Sequence, residues 1–277
     1  MTLTIVMITF NSADVMEGAL KSVEGLWDEL LVGDAGSTDG TVELVEKYGG
    51  KIIEQKNAGS RVKPGMTIPT LGERKQELVE KAKGDWILVL DADERVSPKL
   101  AQEIRRITNH HKIMTVAYRI PYQNYVFGKP VYWGGEKYAK VRLFQNGYAK
   151  ISPEALHEDV IIDFLQKPGF RRSKPGFEHI SDLRGVIHHH SYRTPRQLFT
   201  KFTRYAWTAA EMLIQKQKPG FRRSKPGFDT LFLYGPHMFV ARFVKEKGYK
   251  DGWRGLVLAL AFGYMEGLTY WLLLIRK

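Results

Sequence analysis

The 277-residue sequence contains no cysteine. This absence excludes a fold stapled by disulfides, thiolate catalysis, and zinc or iron–sulfur sites with cysteine ligands. The first residues, MTLTIVMITFNSAD, also lack the basic start and small-residue cleavage site of a signal peptide, so we expect them to form a first core strand. Hydrophobic residues make up 43% of the chain, which is enough for a packed core and argues against wholesale disorder.

The basic charge is concentrated in a repeated segment. The net charge is +12, and the 12-mer QKPGFRRSKPGF occurs at residues 166–177 and again, letter for letter, at 217–228. Each copy has four basic residues and no acidic one, so the two copies supply eight of the twelve net positive charges. This differs from the broad basic face of a nucleic-acid-binding protein, and we expect no nucleic-acid partner. The copies indicate a duplication or an engineered insertion, and their loops either contact anionic lipid head groups or have no role.

The first half of the chain alternates between strand and helix patterns. Strands are predicted in TLTIVMITF, ELLVGD, KIIEQ and DWILVLD, and helices in Ala13–Val23, GTVELVEKYG, GERKQELVEKAKG and SPKLAQEIRRIT. The last helix is expected to begin with Ser97 as N-cap and Pro98 at its first position. The alternation predicts an α/β fold with a mostly parallel central sheet and helices on both faces. From Lys112 to about Val160 the pattern becomes β-rich, with a hairpin expected around Asn146-Gly147.

Polar clusters follow three of the predicted strands. TFNS follows the first strand, GDAGSTDG the second and DADE the fourth. Ligands of open α/β sheets bind at the carboxyl ends of the strands, so these clusters are candidate site residues. GDAGSTDG has neither the G-K-[ST] of a P-loop nor the G-x-G-x-x-G of a dinucleotide-binding fold. Its Asp34 either accepts hydrogen bonds from a base or ribose, or only belongs to a capped turn.

The DADE cluster suggests a metal site. Asp91 and Asp93 are two residues apart, so both carboxylates lie on one side of an extended chain. Oxygen ligands suit Mg²⁺ or Mn²⁺, and such an ion with open positions can bridge two phosphates and neutralise a diphosphate leaving group. Asp93 is the expected direct ligand, and Asp91 is expected to reach a ribose or a metal-bound water. Acids at a strand end are also common in loops that bind nothing, so the motif needs support from its neighbours.

That support comes from the order of the motifs. IVMITFNSADVMEGALKSV, DELLVGDAGSTDGTVELV and KAKGDWILVLDADERV, in this order and spacing, resemble the family 2 glycosyltransferases of GT-A fold. The resemblance covers Thr2–Val96 and continues through VRLFQNG, LHEDV, HHHSYRTP and KEKGYKDGWRGL, where it is most similar to the lipopolysaccharide-core β-1,4-glucosyltransferase type. It implies a nucleotide-sugar-binding GT-A fold with a smaller β-rich part, a nucleotide-sugar donor, most simply a UDP-sugar, and Mg²⁺ or Mn²⁺ as cofactor.

The resemblance also implies roles for single residues. Lys75 stands where the family usually has Asn, and Ala35 where it more often has Ser. In LHEDV, Glu158, or Asp159 in the alternative alignment, would be the general base that takes the acceptor hydroxyl's proton as the sugar transfers with inversion. The remaining roles are a nucleotide pocket formed by Thr9, Asn11, Asp34 and Arg74 and a metal motif formed by Asp91 and Asp93.

Three further residue types are candidates. Consecutive histidines in an extended chain point alternately, so His188 to His190 cannot all share one site. His189, by its match to HxSY, would ligate the metal or contact the diphosphate, or it belongs to an ordinary polar strand. Trp133 would line the acceptor pocket by stacking on a sugar, or it packs in the core. Arg142 would hold a donor or acceptor phosphate, or a structural carboxylate.

The tail differs from the rest of the chain. We expect a catalytic domain over residues 1–193 and helices over 194–277, first amphipathic and then hydrophobic. Gly255–Ile275 contains a single charged residue, Glu266, and is long enough to cross a bilayer, although a buried helix of a soluble domain has the same composition. Because three consecutive segments combine an aromatic face with a basic flank, membrane contact is favoured. One small residue in every four forms a groove for a second backbone, at Gly255, Ala259, Gly263 and Gly267.

These observations favour one function over two others. The first is an inverting, metal-dependent glycosyltransferase that is peripheral or monotopic at the cytoplasmic face of the cell membrane and acts on a lipid-linked or lipopolysaccharide-type acceptor. The second is transfer to a polyprenyl phosphate, which the family usually couples to longer tandem spans than this chain has. The third is a membrane scaffold that binds nucleotide-sugars without turning them over, against which the intact Asp91, Asp93 and Glu158 argue.

Overall fold

The computed structural model describes residues 1–55, 69–110, 115–153, 159–162, 180–215 and 228–275. Glu158 and the repeated 12-mers, apart from Phe228, lie outside these ranges. The chain forms two compact units, the first comprising Met1–Tyr122 and Ala139–His189, and the second comprising Gln123–Tyr138 and His190–Lys277. The C-terminal helices therefore share their unit with an earlier segment, residues 123–138, which the sequence assigned to the catalytic domain.

The strands and first helices follow the predicted alternation. The helices of the first unit are α1 Ala13–Ser22, α2 Thr41–Lys47, α3 Leu71–Lys81 and α4 Pro98–Asn109. The strands within the described ranges are β1 Leu3–Thr9, β2 Glu29–Asp34, β3 Lys51–Glu54, β4 Trp86–Val89, β5 Glu94–Val96, β6 Ala117–Val126, β7 Lys129–Pro130, β8 Ala139–Gln145, β9 Ala149–Ile151, β10 Val160–Ile162, β11 Ile180–Asp182 and β12 Ile187–Tyr192.

The central sheet has a parallel part and an antiparallel part. Its order runs β3-β2-β1-β4-β8-β6, in which β1 pairs in parallel with β2 and β4, and β2 with β3. Strand β8 is antiparallel to both β4 and β6, and β5 is antiparallel to β12. The apolar faces of these strands pack against α3 around Val6, Leu78, Val89 and Phe144. This is the predicted α/β fold, with a mixed rather than mostly parallel sheet.

Two helices of this unit begin at strong caps. Ser97 accepts a hydrogen bond from the Leu100 N–H at 3.2 Å, and Pro98 occupies the first helical position of α4, as predicted. Thr70 and Glu73 form a reciprocal capping box at the start of α3, which satisfies two backbone N–H groups that have no partner inside the helix. The cap fixes where α3 begins.

The hairpin predicted around Asn146-Gly147 is wrong. The chain does turn there, but β8 pairs with β4 and β6, whereas β9 pairs with β10 in a separate two-stranded sheet. The Asn146 amide nitrogen donates to the carbonyls of Ala82 and Gly84, at 2.9 and 3.0 Å. These bonds anchor the turn to the loop before β4, so the chain leaves β8 instead of folding back along it.

The second unit is helical. It contains α5 Pro195–Gln215, α6 Phe228–Val240, a π-helical turn Ala241–Lys245, a 3₁₀ turn Gly248–Asp251 and α7 Trp253–Ile275. Val126 and Val131 of the earlier segment are buried with residues of α5 and α7, namely Leu198, Phe202, Leu258 and Ala261.

The small residues of α7 receive a second backbone, as predicted. A Cβ atom added to Gly263 would lie 2.8 Å from the carbonyl oxygen of Gly235 in α6, so the two helices approach closely at this point. An 18-residue window of helix α7 has a mean hydropathy of 1.5, so this helix is apolar and long enough to cross a membrane, and it is the one such helix in the described ranges. This property rests on length and composition, which a buried core helix can share.

Candidate functional site

The three polar clusters meet at one edge of the sheet. Thr9, at the end of β1, pairs in register with Asp34, at the end of β2. On the other side of β1, the Leu90 N–H donates to the Val6 carbonyl at 3.1 Å, which brings Asp91 to the same edge. The prediction that these clusters share one side of the sheet is confirmed.

The loops after β1 and β2 are joined by side chains. Asp34 is buried and accepts from the N–H groups of Gly36 and Ser37, both at 2.8 Å, and from the Ser37 hydroxyl. Asn11 has a φ of 47°, a conformation that Asn tolerates better than most residues, and its side-chain oxygen accepts from the Thr38 N–H at 2.9 Å. Asp34 therefore closes its own turn, and its contact with a base or ribose remains a prediction.

Thr9 and Arg74 lie together beside this turn. The Arg74 guanidinium donates to Gln55 Oε1 at 2.8 Å and to the Thr9 carbonyl at 3.3 Å, and both Arg74 and Gln55 are buried. The Thr9 hydroxyl oxygen is also buried, but it has no hydrogen-bond partner among the described residues. A buried hydroxyl without a partner costs free energy, so Thr9 is a candidate to bond a ligand.

Asp91 is held by two cations. Its Oδ1 lies 2.7 Å from Lys75 Nζ, and its Oδ2 lies 3.3 Å from an Arg142 terminal nitrogen. Arg142 also lies 3.4 Å from Glu94 Oε1 and donates through Nε to the Tyr122 hydroxyl at 2.6 Å. The structure thus supports the interpretation that Arg142 holds structural carboxylates, and it shows that Lys75, where the family usually has Asn, pairs with the metal motif.

Burial and charge shift the two carboxylates in opposite directions. Burial raises the pKa of Asp91, but attraction to Lys75 and Arg142 outweighs it and holds that pKa well below its usual range. Burial raises the pKa of Glu94 above its usual value, because the opposing attraction of Arg142 is smaller and Asp91 adds a like charge. Asp91 is therefore the more acidic member of this pair, and both of its oxygens are engaged.

Asp93 and His189 form a second pair at this edge of the sheet. His189 Nε2 lies 3.7 Å from Asp93 Oδ1, and both side chains are partly exposed. In the described part of the chain, no group of three or more His, Asp and Glu side chains is placed to hold an ion without other ligands. Mg²⁺ commonly takes one or two protein ligands and completes its shell with phosphate oxygens and water. The Asp93 carboxylate fits that donor set and lies beside the His189 imidazole, whereas both oxygens of Asp91 are already in ion pairs.

The histidines point to different neighbours, as predicted. The His189 ring contacts the Tyr122 ring edge-on, at 6.0 Å between centroids, and the His190 ring stacks on Tyr125 at 4.6 Å. Burial lowers the pKa of His188, and the charge of Arg95 adds to the effect. His189 is the one whose pairing with Asp93 the geometry gives, at 3.7 Å between His189 Nε2 and Asp93 Oδ1.

Of the two candidate bases, Glu158 lies outside the described residues. Asp159 is exposed, and its carboxylate lies 3.7 Å from Lys140 Nζ. Its carbonyl accepts from the Ser152 N–H at 2.8 Å, which holds the start of β10 beside the end of β9. The role of either acid as a base remains a prediction.

Trp133 belongs to the second unit. Its backbone N–H donates to Asp251 Oδ2 at 2.8 Å, and its half-buried ring lies 4.4 Å from Lys250 Nζ and 4.8 Å from Lys137 Nζ. The core-packing interpretation of Trp133 is therefore not supported, while its contact with an acceptor stays a prediction.

Two residues of the polar edge were missed in the sequence. Glu94 accepts from the Asp91 N–H at 2.9 Å and is almost fully buried, and it was visible only as the third acid of DADE. Tyr122 supports Arg142 from β6. No sequence signal marks Tyr122, because its neighbours give an ordinary strand pattern.

The fold and its polar edge define a GT-A-like α/β glycosyltransferase. The chain belongs to glycosyltransferase family 2, since the model described as "Glycosyl transferase family 2" matches residues 4–156. An uncharacterized glycosyltransferase of Rickettsia typhi is 26% identical over 277 residues, which span 95% of this chain and 83% of that protein. One of Rickettsia felis is 28% identical over 278 residues, spanning 95% and 86%.

Two solved structures match at lower sequence identity. The crystal structure of S. aureus TarS 1–349 has a TM-score of 0.44 and 14% identity, covering 96% of this chain and 90% of that one. Glucosyl-3-phosphoglycerate synthase from Mycobacterium tuberculosis, solved with Mn²⁺, UDP and glucosyl-3-phosphoglycerate, has a TM-score of 0.31 and 21% identity, covering 46% and 44%.

Proposed function

We propose that this family 2 protein is an inverting, metal-dependent glycosyltransferase that moves a hexose from a nucleotide-sugar, foremost a UDP-sugar, to a lipid-linked or lipopolysaccharide-type acceptor at a membrane. The observation that carries the proposal is the meeting of Thr9, Asp34, Asp91 and Asp93 at the carboxyl edge of β2, β1 and β4. This edge is where open α/β sheets bind their ligands.

The nucleotide is proposed to bind beside Thr9 and Asp34. The unpartnered Thr9 hydroxyl supplies a hydrogen bond that the protein leaves unused among its described residues. Asn11, Asp34 and Arg74 hold the loops and strand end around it in one arrangement. A site that is already ordered costs less to fill, since fewer side chains must be fixed on binding.

The diphosphate is proposed to lie near Asp93 and His189, which would hold Mg²⁺ or Mn²⁺ when the donor binds. The ion would neutralise the leaving diphosphate. Asp91, Lys75 and Arg142 act as the support for this motif, because their ion pairs fix the loop after β4. Inversion needs the acceptor hydroxyl on the opposite face of the sugar, where Glu158, or Asp159 in its place, would take its proton.

The acceptor is proposed to reach the enzyme from a membrane surface. Support comes from the helical unit, whose α6 and α7 leave large apolar side chains exposed, among them Leu233, Val240, Trp253 and Leu260. Exposed apolar surface of this kind marks contact with a membrane or a partner. The proposed location is the cytoplasmic face of the cell membrane, with the helices peripheral or monotopic.

The proposal is tested by UDP release from UDP-sugars, measured with Mn²⁺ and with or without a lipid extract as acceptor, after a thermal-shift screen has chosen the donor. Asp93→Ala should lower metal-dependent turnover by about 100-fold, a loss typical of disturbed metal sites. Asp182→Ala, at an exposed aspartate paired with Arg119, is the matched control and should stay near wild type. An Asp93→Ala protein with full metal-dependent turnover would refute the metal assignment, and an absence of donor-induced stabilisation would refute the donor class.

A further inference from the structure

The loop that carries Trp133 is clamped by the segment between α6 and α7. The Trp133 N–H donates to Asp251 Oδ2 at 2.8 Å, and the Gly134 N–H donates to the Glu246 carbonyl at 2.9 Å. Arg242 donates to the Gly134 carbonyl at 2.6 Å. Three separate contacts from residues 241–251 thus fix the backbone of this loop.

A partly buried ion pair strengthens the clamp. Arg242 lies 3.0 Å from Glu136 Oε1, and its guanidinium carbon lies 3.5 Å from the centre of the Phe262 ring. The second oxygen of Glu136 accepts from the Asn124 amide at 2.8 Å. Because both carboxylate oxygens have partners, the pair is satisfied and holds one geometry. The clamp therefore fixes the backbone that carries the Trp133 side chain.

Three lysines converge on that side chain. The ammonium nitrogens of Lys250, Lys137 and Lys247 lie 4.4, 4.8 and 5.9 Å from the centre of the Trp133 ring. Lys247 has a φ of 59°, which is uncommon for a residue other than glycine and costs free energy that the surrounding structure must offset. We call these three lysines and Trp133 the lysine cage.

The lysine cage has an excess of positive charge. In the described ranges, none of its lysines is ion-paired with a carboxylate, and the nearby Asp251 carboxylate is already bonded to the N–H groups of Tyr132 and Trp133. Three ammonium groups around one ring repel each other, and an anion placed among them would remove that cost. We propose that the lysine cage binds the phosphate of an anionic membrane lipid head group.

The surroundings of the lysine cage favour a lipid over a soluble phosphate. Lys250 lies three residues before Trp253, the first residue of the apolar helix α7. Tyr132, Tyr249 and Trp253 are about half exposed, and Arg254 lies over the Trp253 ring at 4.6 Å. Aromatic and basic side chains at the end of an apolar helix typically sit at the depth of lipid head groups. This inference rests on the proposed membrane association and assigns its head-group chemistry.

The test is co-sedimentation of the full chain with phosphatidylcholine vesicles, with and without phosphatidylglycerol. The variant Lys137→Gln/Lys247→Gln/Lys250→Gln should bind the phosphatidylglycerol vesicles about 100-fold more weakly than wild type, since each basic residue near a charged surface contributes a factor of about five. The control Lys51→Gln/Lys83→Gln/Lys99→Gln removes the same charge from exposed positions of the first unit and should keep most of the binding. Trp133→Leu should also weaken binding while the lysines remain.

The possible outcomes distinguish the head-group site from membrane association in general and from the proposed donor site. The inference would be overturned if the cage variant bound anionic vesicles as tightly as its control. It would also be overturned if inorganic phosphate bound saturably to the lysine cage and the cage substitutions left vesicle binding unchanged. Equal binding of the wild type to both vesicle types would refute recognition of an anionic head group but would still support membrane association. No binding to either vesicle type would refute both claims. Stabilisation of the cage variant by UDP-sugar, measured by thermal shift, tests the proposed donor site independently of all these results.

Discussion

Two threonines on β1 have opposite surroundings. The Thr4 hydroxyl donates to Glu29 at 2.8 Å and accepts from the Gly84 N–H at 2.9 Å, whereas the Thr9 hydroxyl has no partner in the described structure. A buried hydroxyl that is bonded stabilises the fold, and one that is not bonded destabilises it. The same substitution should therefore have different effects at the two positions.

Thr9→Val should leave the free energy of unfolding unchanged or raise it by about 1 kcal/mol, because it removes an unpartnered polar group. It should weaken binding of the donor nucleotide by about 3- to 10-fold, the value of one hydrogen bond. Urea unfolding and titration with UDP measure the two effects. Thr4→Val is the control and should cost about 1–3 kcal/mol. Loss of stability in Thr9→Val without weaker UDP binding would contradict the assigned role.

Lys75 and Lys81, both on α3, form ion pairs in different surroundings. Lys75, with 2% of its side chain exposed, pairs with Asp91, while Lys81 pairs with Glu77 at 47% and 42% exposure. Lys75→Ala leaves the Asp91 carboxylate with Arg142 as its one remaining cation among the described residues and should lower the free energy of unfolding by about 3 kcal/mol. Lys81→Ala should cost less than about 0.5 kcal/mol. Similar losses in the two variants, measured by urea unfolding, would refute the buried pair.

The same pair gives a pH dependence. The pKa of Asp91 is lowered in the fold because Lys75 and Arg142 outweigh burial. At pH values between the folded and the unfolded pKa, the unfolded chain binds more protons, so the pair's contribution is fully present above the ordinary aspartate value and is lost as pH falls through the lowered one. The stability difference between wild type and Lys75→Ala should therefore be largest above about pH 4 and shrink in acid.

At the scale of elements, strand ends were predictable and distant pairings were not. The apolar run before Asp91 and the cap at Ser97 are local patterns, and both appear in the structure as expected. Strand β9 pairs with β10 rather than with β8, and the turn before β9 is held by Asn146, whose amide binds carbonyls more than sixty residues away. A turn dipeptide does not report such a contact.

The support of the metal motif was hidden for a similar reason. A lysine on an amphipathic helix is usually exposed, so nothing in ERKQELVEK shows that Lys75 is buried against Asp91. The sequence around Arg242 likewise gives no sign of its role, although Arg242 bonds Gly134 and Glu136, which lie more than a hundred residues earlier. Periodicity reports which face of an element is apolar, but it does not report which charges meet.

The crossing of α6 and α7 can be tested with two glycines. A Cβ at Gly263 would lie 2.8 Å from the Gly235 carbonyl and 3.3 Å from the Phe239 Cβ, whereas a Cβ at Gly267 would lie 3.9 Å from its nearest neighbour. Gly263→Ala should cost about 1–3 kcal/mol by overpacking. Gly267→Ala should gain up to about 1 kcal/mol from helix propensity. Thermal unfolding in a mild detergent, followed by circular dichroism, compares them, and equal effects would mean that the helices do not meet there.

At the scale of the whole molecule, the two units are not consecutive in the chain. Residues 123–138 belong with the C-terminal helices, because Val126 and Val131 are buried against Leu198, Phe202 and Leu258. Glu136 in the same segment is paired with Arg242. A catalytic domain cut at residue 193, the boundary predicted from the sequence, would therefore keep a segment whose partners have been removed.

The chain truncated after Arg193 should aggregate, since two valines and a buried carboxylate lose their partners together. Pro121 pairs with Ala139 across antiparallel β6 and β8, so inserting Asn-Gly between Tyr122 and Ala139 in place of residues 123–138 leaves a three-residue hairpin loop, Tyr122-Asn-Gly, with glycine at its last position. The truncated chain with this turn should be more soluble and should unfold at a higher temperature than the simple truncation. Sedimentation and thermal unfolding of both proteins measure this difference. If the simple truncation is equally soluble and equally stable, residues 123–138 do not depend on the helices, and the division of the chain into these two units is wrong.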